Sequence, residues 1–267
     1  MHKNESSRRH FIRISSAALG TLTLSPLAGA ASGRVLANNL TRPEGGKLNI
    51  ICVGAHPGDP EFGCGGTMAK YSDAGHSVTF LYLTRGEAWA GDPSLSHVQA
   101  AALRTLEAEN SCKILNAKPL FAGQVDGDTE LNSQRAEEFK NLLLSVNPDI
   151  VFSHWPIDSH RDHQVAGCLT LNAWLKTDRQ FVLYFYEVDT GSETMGFTPT
   201  DYVDITDVSD RKKQAMFAHK SQGPEAIYEK DFRAMEDFRG LEAGVMAAEA
   251  FIQFKTKAAR SGIIGLF

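Results

Sequence analysis

Apolar and polar positions divide the chain into alternating blocks of two kinds. Leu48 to Val53 (LNIICV) is a nearly continuous apolar run, and Val78 to Thr84 (VTFLYLT) is a second, rich in β-branched and aromatic residues. Short runs without polar alternation suit a parallel sheet, whose strands are covered by helices on both faces. Pro119 to Val125, Ile150 to Ser153 and Phe181 to Val188 continue the series. Between them, apolar residues recur at helical spacing. Gly65-Gly66 opens a helix to about Ala74, and Gly75 follows as its expected C-terminal residue. Leu95 to Leu115 places Leu103, Leu106 and Ile114 on one face, and Asn132 to Val146 does the same with Phe139, Leu142, Leu143 and Val146. His163 to Leu175 makes a further helix. Strands and helices alternating over short links predict an α/β fold: a Rossmann-like, mostly parallel sheet flanked by helices, in a single domain. After Thr190 the pattern changes to a strand around Tyr202–Ile205 and two helices, Ser209–His219 and Phe232–Phe254.

The N-terminal segment obeys a different pattern. Ser7-Arg8-Arg9-His10-Phe11-Ile12-Arg13 sets a twin arginine before a weakly apolar stretch, Ile14 to Ala31, which contains Pro26 and leads to small-residue sites at Ala28-Gly29-Ala30 and Val35-Leu36-Ala37. This reads as a twin-arginine export signal and leader over residues 1–37, with the working domain over 38–267. The mature protein is then expected in the periplasm or outside a bacterial cell, without a transmembrane segment. An uncleaved helical anchor is the alternative.

Composition narrows the function classes. At 267 residues, 42% apolar and 22% charged, the chain is an ordinary globular protein. Its formal net charge of −5 argues against a nucleic-acid partner, since a phosphate-binding domain is expected to be basic. The four cysteines, Cys52, Cys64, Cys112 and Cys168, are widely spaced and read as small buried hydrophobes. Gly63-Cys64-Gly65-Gly66 follows a strand but misses the G-x-G-x-x-G spacing, so no nicotinamide cofactor is expected. These glycines are read instead as letting a helix N-terminus approach the functional site closely.

The chemistry is concentrated at two strand ends. Ala55-His56-Pro57-Gly58-Asp59-Pro60-Glu61 follows the first strand. His154-Trp155-Pro156-Ile157-Asp158-Ser159-His160-Arg161-Asp162-His163 follows the fourth. Ligands of α/β sheets bind outside the carboxyl ends of the strands, so two such clusters can converge on one ion. Imidazole and carboxylate without thiolate suit a catalytic zinc, which keeps a coordination position open for water.

The order A-H-P-x-D-x-E-x-G-x-G-G and then H-x-D-H resembles the PIG-L/LmbE-like zinc N-deacetylases. Thr84-Arg85-Gly86-Glu87, Arg104-Thr105-Leu106-Glu107, Tyr202-Val203-Asp204-Ile205-Thr206, His219-Lys220-Ser221-Gln222 and Ala248-Glu249-Ala250-Phe251 extend the likeness over about Leu48 to Phe254. The resemblance implies Zn2+ held by His56, Asp59 and His163, and removal of acetyl groups from N-acetylglucosamine-type sugars or glycoconjugates. His160 would stabilise the oxyanion or protonate the leaving amine, and Asp162 would orient it. Arg85 and Glu87 are candidates to grip substrate (Arg85 equally a structural partner), with Asp126 a weaker one, and Trp155 is a candidate either to stack on a sugar ring or to form a wall.

One position departs from the family. Where most members carry the aspartate taken as general base, this chain has Gly58. General-base assistance is typically worth about 10²–10⁴-fold. Three readings follow: another carboxylate fills the role, Asp158 first and Glu61 second; the metal-activated water acts with little help; or the protein keeps its metal and binds sugars with little or no hydrolysis.

Overall fold

The computed structural model describes residues 34–35, 46–178, 180–190 and 192–255; the export signal expected over residues 1–37 lies outside them except for Arg34–Val35. The strands are β1 (Arg34–Val35), β2 (Asn49–Gly54), β3 (Ser77–Tyr82), β4 (Lys118–Phe121), β5 (Ile150–His154), β6 (Val182–Tyr186), β7 (Asp201–Asp204) and β8 (Ala248–Gln253). They form one sheet in the order β1-β7-β8-β6-β5-β2-β3-β4. All neighbours pair in parallel except β8, which runs antiparallel between β6 and β7.

Alternation across the pleat explains the unbroken apolar runs. Ile50 and Cys52 of β2 pack on one face with Phe80, Tyr82, Phe152 and Phe251, and Ile51 and Val53 pack on the other with Leu81, Leu83, Val151 and Phe185. Helices α1 (Asp59–Asp73), α2 (His97–Ile114) and α5 (Ser209–Met216) cover the first face, and α3 (Ser133–Leu144) and α4 (Arg161–Lys176) the second. A 3-10 turn (Lys220–Gln222), α6 (Pro224–Ile227), a π turn (Tyr228–Phe232) and α7 (Arg233–Ala243) complete the described elements. Among the described residues no helix is long and apolar enough to cross a membrane. Cys52, Cys64 and Cys112 are buried and Cys168 partly so, all as free thiols.

Three differences from the sequence pattern have physical causes. The helix expected over Phe232–Phe254 is α7 followed by a strand. Gly244 takes the left-handed conformation (φ 74°) that ends α7, and Ala248–Gln253 then fills the gap between β6 and β7. Alanine and glutamate favour helix, but the ladder on both sides outweighs that preference. Second, α1 begins at Asp59, not Gly65. Its glycines serve packing on the sheet: a Cβ at Gly63 would lie 2.4 Å from the Tyr186 ring, and one at Gly66 would lie 2.6 Å from Ile205. Third, α2 turns Ala100, Arg104, Glu107, Ala108, Ser111 and Cys112 inward and leaves Leu106 exposed. Its buried polar pair is occupied: Arg104 donates to the carbonyls of Pro57, Gly86 and Trp89, and Glu107 accepts from Ser221.

Candidate metal centre

The two motifs meet because β2 and β5 are adjacent at the point where the strand order reverses. His56 lies in the loop after β2, and Asp59 is the first residue of α1. His154 ends β5, His160 caps the N-terminus of α4, and Asp162 and His163 stand in its first turn. With His56, Asp59, His160 and His163 in its lining, a cavity of about 590 Å3 opens over this cluster.

Two groupings here place three ligand atoms close enough to share an ion: His56, Asp59 and His163, or His56, His160 and Asp162. Hydrogen bonding favours the first. Asp162 accepts from the Thr129 hydroxyl (2.6 Å) and the Gly127 N–H (2.8 Å), and lies 3.2 Å from His56 Nε2. His160 Nδ1 accepts the Asp162 N–H at 3.2 Å. Both residues are therefore engaged. In the first group His56 Nδ1 and His163 Nε2 both face Asp59 Oδ2, at 3.3 and 3.5 Å; that oxygen also accepts the His56 N–H at 2.7 Å, but the second Asp59 oxygen has no hydrogen-bond partner among the described residues. The far nitrogens of these rings meet carboxylates. His56 Nε2 lies 3.1 Å from Asp126 as well as near Asp162, and His163 Nδ1 lies 3.3 Å from Asp158. Carboxylates behind histidines orient the rings and make their free nitrogens better ligands.

Charge tells the same story. Burial alone would lower His56 and His163, but Asp59, with Asp126 and Asp162 around His56 and Asp158 beside His163, raises both. Burial would raise Asp162, yet His56, Thr129 and the Gly127 N–H hold it well below the usual carboxylate range. Among the described residues, no Lys or Arg lies within ion-pair distance of Asp59, Asp126, Asp158 or Asp162; histidines are the cations in contact with them, and Arg104 acts on Asp59 and Asp126 only from farther away. A divalent cation matches this surplus of negative charge and the oxygen–nitrogen donor set.

The remaining expected residues take varied places. Asp158 is buried behind His163, accepting the His160 N–H (2.8 Å) and the Thr194 hydroxyl (3.0 Å), so it faces away from the cavity. Glu61 is fully buried and committed to Tyr82, His219 and the Gly58 N–H. Asp126 lines the cavity. Arg85 and Glu87 are not brought to it: Arg85 donates to Thr105 and lies over the Phe121 ring, and Glu87 accepts from the backbone of Arg85 and Asp126. Trp155 packs against Phe185 and Phe197, its indole N–H on the Met195 carbonyl, and does not reach the cavity lining, so it neither stacks there nor forms its wall.

Two further residues carried no sequence signal of their own role. His154 Nε2 lies 3.1 Å from the Ala55 N and 3.2 Å from Asp59, while its ring stacks on His163 at 4.1 Å. Burial and the neighbouring His163 push it down to about 4, so it stays neutral. Glu193, in the loop after β6, lines the cavity with its carboxylate 3.8 Å from His163 Nδ1. Burial, working against His163 and reinforced by Asp59, Asp158 and Asp189, pushes it up to about 7.

Comparison with known proteins agrees with this geometry. Residues 51–174 match the PIG-L family, described as GlcNAc-PI de-N-acetylase. Diacetylchitobiose deacetylase of Thermococcus kodakarensis is 32% identical over 193 residues, 67% of this chain and 72% of that protein. The chain belongs to the PIG-L/LmbE-like family. A probable N-acetyl-alpha-D-glucosaminyl L-malate deacetylase 2 of Bacillus subtilis is 26% identical over 186 residues, covering 66% of this chain and 84% of the relative. Among solved structures, N,N'-diacetylchitobiose deacetylase from Pyrococcus horikoshii, in complex with its inhibitor MPG, superposes with a TM-score of 0.69. It shares 28% identity over 78% of this chain and 84% of that one.

Proposed function

We propose that this protein is an exported, zinc-dependent hydrolase that removes acetyl groups from N-acetylglucosamine-type sugars or glycoconjugates. The observation that carries the reading is the convergence of His56, Asp59 and His163 at the head of a cavity that also holds His160. Export rests on the Arg8-Arg9 signal pattern.

His56, Asp59 and His163 would hold the ion. When bound, zinc supplies a Lewis acid and lowers the pKa of water to about 7. Asp162 and Asp126 fix the His56 ring, and Asp158 fixes His163. His160 accepts the Asp162 N–H at Nδ1, which leaves its ring proton on Nε2. Burial and the neighbouring His163 and His56 keep it neutral, so it can donate to the amide oxygen as negative charge develops there.

The general base is assigned to Glu193. Asp158 and Glu61 are occupied elsewhere, whereas the Glu193 carboxylate lines the cavity and has no hydrogen-bond partner among the described residues. Glu193 takes a proton from the attacking water as the carbon–oxygen bond forms. It returns that proton to the sugar nitrogen as the carbon–nitrogen bond breaks, leaving the free amine and acetic acid, whose remaining water-derived proton is lost to the amine or solvent to give acetate.

The test is acetate release by the purified protein from a panel of N-acetylated sugars, with zinc supplied, chelated and restored. Activity that disappears with chelator and returns with zinc is the expected result. Sugar binding without acetate from any substrate would overturn hydrolysis in favour of a metal-retaining carbohydrate-binding protein.

A further inference from the structure

Trp89, in the loop between β3 and α2, is 63% exposed, and among the described residues it is the one large exposed apolar side chain that lines the cavity. Its backbone is fixed. The Trp89 carbonyl accepts from Arg104 (3.0 Å) and Gln222 (3.3 Å), and its N–H reaches the Gly86 carbonyl at 3.4 Å. Two residues on, Gly91 passes so close to Ser221 that a Cβ there would lie 2.1 Å from its carbonyl oxygen. An indole left in water at the rim of a site, on a backbone already ordered, gains by covering an apolar surface at little entropic cost. The face of a pyranose ring that carries axial hydrogens is such a surface.

Gln222 stands beside it in the cavity lining. Its amide nitrogen is used by the Trp89 carbonyl and the Ser221 hydroxyl, and its amide oxygen, with no partner among the described residues, can accept from a sugar hydroxyl. The cavity, at about 590 Å3, falls within the range of about 300–1,000 Å3 found for pockets that enclose drug-sized ligands.

We propose that Trp89 and Gln222 form a second sugar subsite, where the indole stacks on the pyranose next to the one presented to His56, Asp59 and His163. The protein then selects oligosaccharides over single sugars. This selectivity rests on the deacetylase reading above; stacking itself does not.

Calorimetric titration of the zinc-loaded protein with chitotriose and with glucosamine, the deacetylated forms that it cannot turn over, tests the subsite, together with tryptophan emission. The trisaccharide is expected to bind about tenfold or more tighter than the monosaccharide, a difference the size of one aromatic contact. Trp89→Ala should bring that ratio close to one, and Trp89→Phe should keep most of it. Of the three tryptophans, Trp174 is buried and Trp155 is packed on Phe185 and Phe197 outside the cavity lining, so the emission change on adding trisaccharide should vanish in Trp89→Phe. Circular dichroism confirms that both variants are folded. A binding ratio that Trp89→Ala leaves unmoved, or an emission change that survives in Trp89→Phe, overturns the subsite. Acetate assays of the same proteins with the N-acetylated sugars separate the two readings. Trisaccharide binding that depends on Trp89 without acetate release retains the subsite and removes the hydrolase. Acetate release with a substrate preference that Trp89→Ala does not alter does the reverse.

Discussion

Gly58 sits at φ 113°, a conformation that L side chains rarely adopt, and a Cβ there would meet Phe62 and His219 only at ordinary contact distance. Backbone strain rather than crowding excludes a side chain. Gly58→Ala should therefore cost about 1–3 kcal/mol, measured by denaturant unfolding. Gly58→Asp should not gain activity, because the strain falls on the residue before Asp59; metal content measured beside kcat should fall. Two carboxylates then separate by what they lose. Glu193→Gln is expected to lower kcat by about 10²–10⁴-fold with the ion retained. Asp158→Asn, acting through His163, should weaken metal affinity by about 10–100-fold instead. Unchanged kcat in Glu193→Gln would move the base elsewhere, Asp126 first. At this scale the convergence of His56, Asp59 and His163 was legible because ligand types cluster within a few positions of a strand end. Glu193 and Trp89 were not, since each enters from a loop with no periodicity and only the fold brings it to the cavity.

Among the elements, α1 is helical despite Gly63, Gly65 and Gly66, each of which disfavours helix. Tertiary contacts hold it. Glu249 of β8 accepts the N–H groups of Gly66 and Thr67, and Lys212 of α5 lies 2.8 Å from both Glu249 and Glu236, all three fully or nearly buried. Lys212→Met would leave two carboxylates buried without their cation and should destabilise the protein by about 3–5 kcal/mol. A melting temperature equal to that of the unmodified protein would refute this role. Most of the parallel strands could be read from their unbroken apolar runs, and the helices between them from helical period. The strand β8 could not: Ala-Glu-Ala favours helix locally, and its pairing partners lie far away in sequence. The inward face of α2 was also hidden, because Arg104 and Glu107 are buried there for the loops they hold rather than for apolar packing.

For the whole molecule, an ion held by the histidine–carboxylate cluster as proposed would couple its binding to stability. At free zinc about 100 times its Kd, binding adds about 2.7 kcal/mol, so chelation should lower Tm by about 5–10 °C. His163→Ala should lose about one equivalent of metal and show no such dependence. Export, if it follows the twin arginine, should fail in Arg8→Lys/Arg9→Lys, as cell fractionation would report. Cleavage after Ala30 would keep β1 and cleavage after Ala37 would remove it, so N-terminal sequencing also reports whether that pairing belongs to the mature sheet. The position of β8 has a further consequence, for the order of events during synthesis. The strand that joins β6 to β7 is the last of the eight to leave the ribosome, pairing at three positions with one and four with the other. Until Ala248–Gln253 emerges, both neighbours present open edges, and open edges invite association between chains. A nascent chain halted at Gly244 should therefore aggregate, whereas release beyond Phe254 closes the sheet and commits the protein to its folded state in one late step.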